Sequence, residues 1–276
     1  MSLIIHLRQR INVVETIKKT TNAMRLISMS IHSRLRQKKG SLDAYRSEIE
    51  RMLTHLQHYD TIKTHQESVP ARTLIILVGS QKGLCGTFNA SLFHYFEKEL
   101  LPLPKNTDLI VIGKQAVDYS KNHHLHPSAV YNDFSASNFI AIAHELTQTI
   151  LFDSSYTNVI TVSNYPKTFF IQKSEKKQII PAPITLSENA SSIHEDYILE
   201  QPASELLDYL KKLSIKVTIQ ELLFESLVAE QAARFLSMNS STINADKLIT
   251  SMKLDYNKLR QASITRELTD LAGSLL

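Results

Sequence analysis

The sequence predicts an α/β protein in which two very long terminal helices form an antiparallel coiled coil around a central open α/β domain of Rossmann-like character. Two observations carry this prediction. All eight prolines lie between Pro70 and Pro202, leaving 69 residues before that window and 74 after it with none. Within the window, short apolar runs alternate with helix-like segments. A proline inside a helix removes a hydrogen bond and clashes with the preceding turn at a cost of about 3 kcal/mol. The proline-free flanks hold only Gly40 and Gly273 as glycines and read as helices on the order of 80 and 110 Å long at about 1.5 Å per residue. Neither can bury an apolar stripe alone, so the economical arrangement packs one against the other. The predicted division is an N-terminal coiled-coil helix over 1–69, an α/β domain over 70–202 and a C-terminal coiled-coil helix over 203–276.

In the first flank, Leu3, Leu7, Ile11, Val14, Ile17, Thr21, Met24, Ile27, Ile31 and Leu35 step by three or four, which is a continuous helical stripe. The stripe resumes at Leu42, Tyr45, Ile49, Leu53 and Leu56, so Gly40 weakens the helix without ending it. Thr20, Thr21, Ala23, Ser28 and Ser30 are small or polar where a permanently packed coiled coil prefers Leu or Ile. This stretch reads as a surface that slides against something. In the last flank a stripe opens at Leu206, Leu210, Leu213 and Val217. It continues through Leu223, Leu227, Phe235, Met238, Leu248, Met252, Tyr256, Leu259 and Leu268. Asn239-Ser240-Ser241-Thr242 is its weakest point and a candidate for local unwinding, and Gly273 suits a C-terminal stop.

Between the flanks, strands are predicted at Thr73–Val78, Asp108–Gly113, Ala129–Tyr131, Asn158–Ser163 and Thr168–Gln172. Helices are predicted at Ala90–Leu101, Lys114–Lys121 and Asn138–Phe152. This alternation implies an open sheet with crossover helices.

The totals exclude several function classes. A single cysteine, Cys85, rules out an internal disulfide framework and a Cys-rich zinc site, and fits a reducing compartment. No apolar run approaches the roughly 18 residues that span a bilayer, so any membrane association is made through partners. Residues 1–40 carry nine Lys or Arg against Glu15 alone, whereas 203–276 carry nine of each sign. A helix this basic can meet nucleic acid, an anionic surface or acidic protein walls.

Candidate chemistry is sparse. Gly79-Ser80-Gln81-Lys82-Gly83-Leu84-Cys85-Gly86 lies between strand and helix, where phosphates bind. It nevertheless matches neither a dinucleotide fingerprint nor a phosphate loop, and reads as a tight turn. His123, His124 and His126 form no regular ligand face. Cys85 has no catalytic partner in sequence and reads as a small buried residue. No cofactor, metal or catalytic residue is expected.

Three segments carry a family resemblance. KKTTNAMRLISMS (18–30) resembles the N-terminal helix signature of the γ subunit of F-type ATP synthase. ESLVAEQAARFLSMNSSTINADKLI (225–249) with YNKLRQASITREL (256–268) resembles its C-terminal signature, and QKGLCGTFN (81–89) is similar to its central Asp-Arg-Gly-Leu-Cys-Gly-Gly-Leu-Asn turn. Gln81, Lys82 and Thr87 depart from that turn, and Ile31 stands where a Lys is usual.

The resemblance implies a non-catalytic rotor shaft inside a ring of α and β subunits, with an ε subunit and the membrane c-ring as further partners. It implies a peripheral location on the cytoplasmic side of a bacterial inner membrane, with no membrane insertion and no nucleic acid. It also implies β-subunit catch contacts at Arg260, Gln261, Thr265 and Glu267, and a shaft bearing at Thr21, Met24 and Ser28. Tyr197 and Glu200 would form a foot facing the c-ring and ε. The competing reading is a basic coiled-coil scaffold or nucleic-acid-binding protein.

Overall fold

The computed structural model describes residues 2–57, 72–104, 106–152, 155–181 and 201–273. Helix α1 runs over Ser2–Gln57, and strand β1 over Arg72–Val78. There follow α2 (Phe88–Leu100), β2 (Thr107–Ile112), α3 (Lys114–Asn122), β3 (Ala129–Tyr131) and α4 (Phe139–Phe152). β4 (Tyr156–Pro166), β5 (Gln172–Ile180) and α5 (Ala203–Gly273) complete the chain. Gly40 sits inside an unbroken α1, as its surroundings predict, because an exposed glycine costs a helix only about 1 kcal/mol relative to alanine. The unwinding expected at Asn239–Thr242 does not occur. α5 is continuous there, and the Thr242 hydroxyl donates to the Met238 carbonyl at 2.8 Å, a bond formed within the helix.

The chain forms two compact units, Met1–Ser30 with Arg234–Leu276, and Ile31–Ala233. This partition differs from the three-part sequence division. The physical reason is that Leu35 of α1 and Ile219, Leu222, Leu223 and Leu227 of α5 belong to the core of the sheet.

In the larger unit the strand order is β3-β2-β1-β4-β5, with all neighbours parallel except β4 and β5. Strand β1 sits in the middle, and its alternation sorts side chains to two faces. Leu74, Ile76 and Val78 join a core with Leu35 of α1, Ile142, Leu146 and Ile150 of α4, and Ile219, Leu222, Leu223 and Leu227 of α5. Ile75 and Leu77 meet Leu92 and Phe96 of α2 and Ala116 and Val117 of α3 on the other face. The result is three layers.

The fifth strand is displaced from its predicted place. Residues 168–171 form the turn, and the strand is the polar segment Gln172–Ile180. Its alternation is hidden because it is an edge strand, where Lys173, Glu175, Lys176 and Lys177 blunt unwanted pairing. Leu56 of α1 packs with Leu207 and Leu210 of α5 in a separate cluster, and α5 opens directly after Pro202, whose carbonyl accepts from Glu205 N at 3.1 Å.

In the smaller unit α1 and α5 run antiparallel. Ile11 and Val14 pack with Ala245, Ile249 and Met252, flanked by Leu7 and Tyr256. Partner numbers fall along α5 as they rise along α1. Glu15 accepts from Lys253 at 2.7 Å, Lys18 pairs with Asp246 at 2.5 Å, and Arg25 donates to Asn239 at 3.0 Å.

Candidate functional site

The inward side of α1 in the smaller unit is Leu7, Ile11, Val14, Lys18, Thr21, Arg25 and Ser28, alternating steps of four and three. That 3.5-residue spacing is the mark of a coiled-coil seam. The upper part of the seam is apolar and the rest is polar. Lys18 reaches Asp246, the Thr242 hydroxyl lies 2.9 Å from that of Thr21, and Arg25 reaches Asn239. Ser28 is 1% exposed.

The residues expected as a bearing, Thr21, Met24 and Ser28, lie on or beside this seam. Ser28 is buried, Thr21 is turned toward α5, and Met24 is half-buried. Of the small or polar residues in this stretch, Thr20, Ala23 and Ser30 are exposed, whereas Thr21 and Ser28 lie toward α5. The apolar stripe slipped by one position, because Ile17 and Ile27, both assigned inward, are among the exposed residues. The outward surface instead carries Val13, Ile17, Leu26, Ile27 and Met29, with exposed Thr20 and Ala23 among them. In this stretch several apolar groups face outward while Lys18, Thr21, Arg25 and Ser28 face the partner helix.

Toward its C-terminus α5 outlasts α1. The last α1-facing contact in the apolar cluster is Tyr256, and beyond it almost every described side chain is exposed, including the apolar Ile264 and Leu268. Leu248 and Leu268, assigned to the stripe in sequence, are exposed, Leu248 beside the inward Ile249 and Leu268 beyond Tyr256. Among the described residues this end bears apolar groups with little tertiary packing to hold it, and isolated helices are marginal in water.

Arg260, Gln261, Thr265 and Glu267 lie on this end, and all four are exposed. They occupy two adjoining faces. Gln261 and Thr265 are one turn apart, and the Thr265 hydroxyl donates to the Gln261 carbonyl at 3.0 Å. Arg260 and Glu267 are two turns apart on the neighbouring face, with Ser263 between them donating to Glu267 at 3.1 Å. Tyr197 and Glu200, the expected foot, lie outside the described residues.

The glycine turn after β1 is engaged by its own fold. A Cβ on Gly79 would sit 2.7 Å from that of Ala116, so α3 can approach only a glycine there. Asn89 donates to Ser80 Oγ at 2.7 Å and accepts from Ser80 N at 3.2 Å. Gln81 Oε1 accepts from Phe134 N at 3.0 Å and Lys114 N at 3.4 Å, tying together the loops after β1, β2 and β3. Cys85 is buried with Phe88, Ala229 and Ala233, as a small core residue. His123 lies against the Tyr119 ring, with centroids 4.2 Å apart, and 3.9 Å from Glu97. Burial and the hydrogen bond to Glu97 raise the Tyr119 phenol well above its ordinary range.

Sequence reasoning missed one charged group altogether. Glu221 and Glu225, one turn apart on α5, meet Arg46 and Lys39 of α1, and Lys177 of β5 lies 3.8 Å from Glu221. This network binds both helices and the edge strand within the larger unit. The signal was present as Lys39 and Arg46 at seam positions of α1, where the spacing of four and three demands an inward side chain.

The family model described as ATP synthase matches residues 4–275. This chain belongs to the ATP synthase γ-chain family. An ATP synthase gamma chain from Christiangramia forsetii is 31% identical, covering 97% of this chain and 96% of that one. One from Flavobacterium johnsoniae is 30% identical over the same shares. Among solved structures, a rotor chain of the Euglena gracilis mitochondrial ATP synthase has a TM-score of 0.69 at 15% identity, covering 95% of this chain and 99% of that one. The likeness extends to the fold as a whole, including both long helices and the central sheet. Among the described residues no helix is long and apolar enough to cross a membrane.

Proposed function

We propose that this γ chain is the non-catalytic rotor shaft of an F-type ATP synthase. It would turn inside a ring of α and β subunits, with its foot against the c-ring and an ε subunit, peripheral to the cytoplasmic side of a bacterial inner membrane. The observation that carries the reading is the smaller unit's surface. Its outward apolar residues, Val13, Ile17, Leu26 and Ile27, and the exposed Ile264 and Leu268 of α5 call for protein walls around them. Exposed apolar patches of this kind mark interaction sites.

The mechanism follows from asymmetry. Each orientation of the shaft favours a different conformation of each β subunit, so rotation changes their nucleotide affinities. A shaft with identical contacts at every angle would shift nothing, because a ligand moves an equilibrium only by its differential affinity for the two states. Arg260, Gln261, Thr265 and Glu267 suit a catch on a β subunit. They are exposed and polar, and charge-assisted bonds of about 1.5–3 kcal/mol bias a conformation yet still break at each step. The bearing belongs to the face of Val13, Ile17, Thr20, Ala23 and Ile27, where short uncharged side chains limit interlocking. Tyr197 and Glu200 remain the foot proposed from the family pattern, where an exposed ion pair would contribute about 0–1 kcal/mol.

The scaffold or nucleic-acid reading loses ground because Lys18, Arg25 and Lys39 of the basic helix are engaged by Asp246, Asn239 and Glu225. The test is reconstitution with α and β subunits. The isolated chain should not hydrolyse ATP, and the complex should do so cooperatively. Replacing all four catch residues by alanine should lower steady-state hydrolysis with subunit stoichiometry intact. Full hydrolysis and ion pumping by that variant would remove the catch assignment.

A further inference from the structure

The turn joining β4 to β5 has a sequence that turn geometry does not call for. Thr168 N donates to the Ile171 carbonyl at 3.1 Å, and Ile171 N returns to the Thr168 carbonyl at 3.3 Å. The loop therefore has two central residues, Phe169 and Phe170. Two-residue hairpin loops favour Asn-Gly or Asp-Gly with positive φ, and neither phenylalanine has a positive φ.

The two rings have different fates. Phe169 packs edge-on against the buried His32 of α1, with centroids 5.0 Å apart, and braces the tip. Phe170 is 72% exposed and Ile171 is 50% exposed. Lys167 and Lys173 flank them, both exposed, and residues 154–174 contain no Asp or Glu. An apolar knob between two lysines is costly to leave in water, and its charge asks for an acidic surround.

The place of the tip within its unit narrows the partner. β5 leads away from it past Lys177, 3.8 Å from Glu221, the partner of Arg46 fourteen residues along α1 from His32. The tip is at the opposite end, beside His32, the residue next to the limit of the unit at Ile31. On the rotor reading, on which this inference rests, the foot is the far end and the tip faces the α and β subunits.

We infer that Phe170 and Ile171, with Lys167 and Lys173, form a docking knob. It inserts into an acidic, apolar-floored surface at the rim of the α/β ring. A buried aromatic anchor inside a polar rim is the usual anatomy of an interface hot spot. The lysines would act over about 10 Å at 0.1 M salt and lose that reach as salt rises.

The experiment uses the full chain assembled with α and β subunits, with Phe170 replaced by the photoreactive p-benzoylphenylalanine. Illumination should yield adducts with α or β. A K167E/K173E variant should bind the α/β ring about tenfold more weakly at low salt, with the difference shrinking at high salt. Phe170→Ser should weaken assembly while leaving the thermal midpoint of the isolated chain unchanged, because its ring is largely outside the core. Adducts only with ε or the c-ring would overturn the knob, as would none at all beside an efficient control position on α5. So would charge reversal without effect. Failure of the unaltered chain to assemble with α and β would instead sink the rotor reading itself.

Discussion

The two halves of the helix pair obey opposite rules. In the larger unit, residues 31–57 of α1 and 203–233 of α5 turn Leu35, Ile219, Leu222, Leu223 and Leu227 into a core shared with the sheet. Their charged seam residues, Lys39 and Arg46, meet Glu225 and Glu221. In the smaller unit the apolar cluster is five buried residues, the seam continues as Lys18, Thr21, Arg25 and Ser28, and much of the apolar surface faces outward. One stretch of helix is built to hold itself together, and the other to be held by something else. The same period of 3.5 residues serves both, so the distinction lies in which side chains fill the seam. Polar seam residues fix register at a cost in stability.

Truncation in the two cores should separate them most widely. Leu227→Ala should destabilise the larger unit by about 2–5 kcal/mol, the range for a fully buried leucine. Ile249→Ala, in the small cluster, should cost about 1–2 kcal/mol, since loss grows with the cavity left behind. Urea unfolding with probes on each unit would check this, and equal losses would erase the contrast.

The charged network comes next. Glu221→Leu should cost about 2 kcal/mol, less than the 3–5 kcal/mol of a wholly buried pair because Arg46 and Lys177 keep partial access to water. A double-mutant cycle with Arg46→Leu should recover part of that loss.

Two titrations of opposite sign should follow in the larger unit. Burial, with a smaller effect of Arg36, lowers the His32 pKa below its ordinary 6.5. The folded state prefers the neutral ring, so stability is complete above about pH 6.5 and is lost as pH falls through the folded value. His32→Phe should flatten that loss while keeping an edge contact with Phe169. Burial, then Glu221, raises the Glu225 pKa above 4.5 against the pull of Lys39 and Lys177. Its protonated form is favoured by folding, so the contribution is full below about pH 4.5 and fades as pH rises through the folded value. Urea midpoints from pH 7.5 down to 4.5, in the parent, His32→Phe and Glu225→Gln, should resolve the two slopes.

The smallest effect is expected in the polar seam. Thr21→Val with Thr242→Val should change stability by less than about 1 kcal/mol, because both hydroxyls also have helix carbonyls to bond, of Lys18 and Met238. A large loss would mean that the Thr21–Thr242 contact holds the pair together.

Most of the fold was legible in the sequence because proline placement and apolar runs are local signals. The catch segment rests on its family pattern, and its four residues are exposed. Three things were not legible. The seam between 18 and 28 was misplaced because the reading followed hydrophobicity, and there the inward residues are Lys, Thr, Arg and Ser. β5 was missed because a charged edge strand lacks an apolar face. The Glu221 network was missed because its members are 175 residues apart in the chain, and no local pattern joins them.

That separation along the chain also bears on synthesis. Lys18 and its partner Asp246 are 228 residues apart. At about 5–20 residues per second on the ribosome, the first helix emerges roughly ten to forty-five seconds before the last one exists to cover it. Throughout that interval Leu7, Ile11 and Val14 lack their mates. A nascent chain of this design should therefore be a strong client for factors that shield apolar segments during translation, and slowing elongation near its 3′ codons should lower its soluble yield.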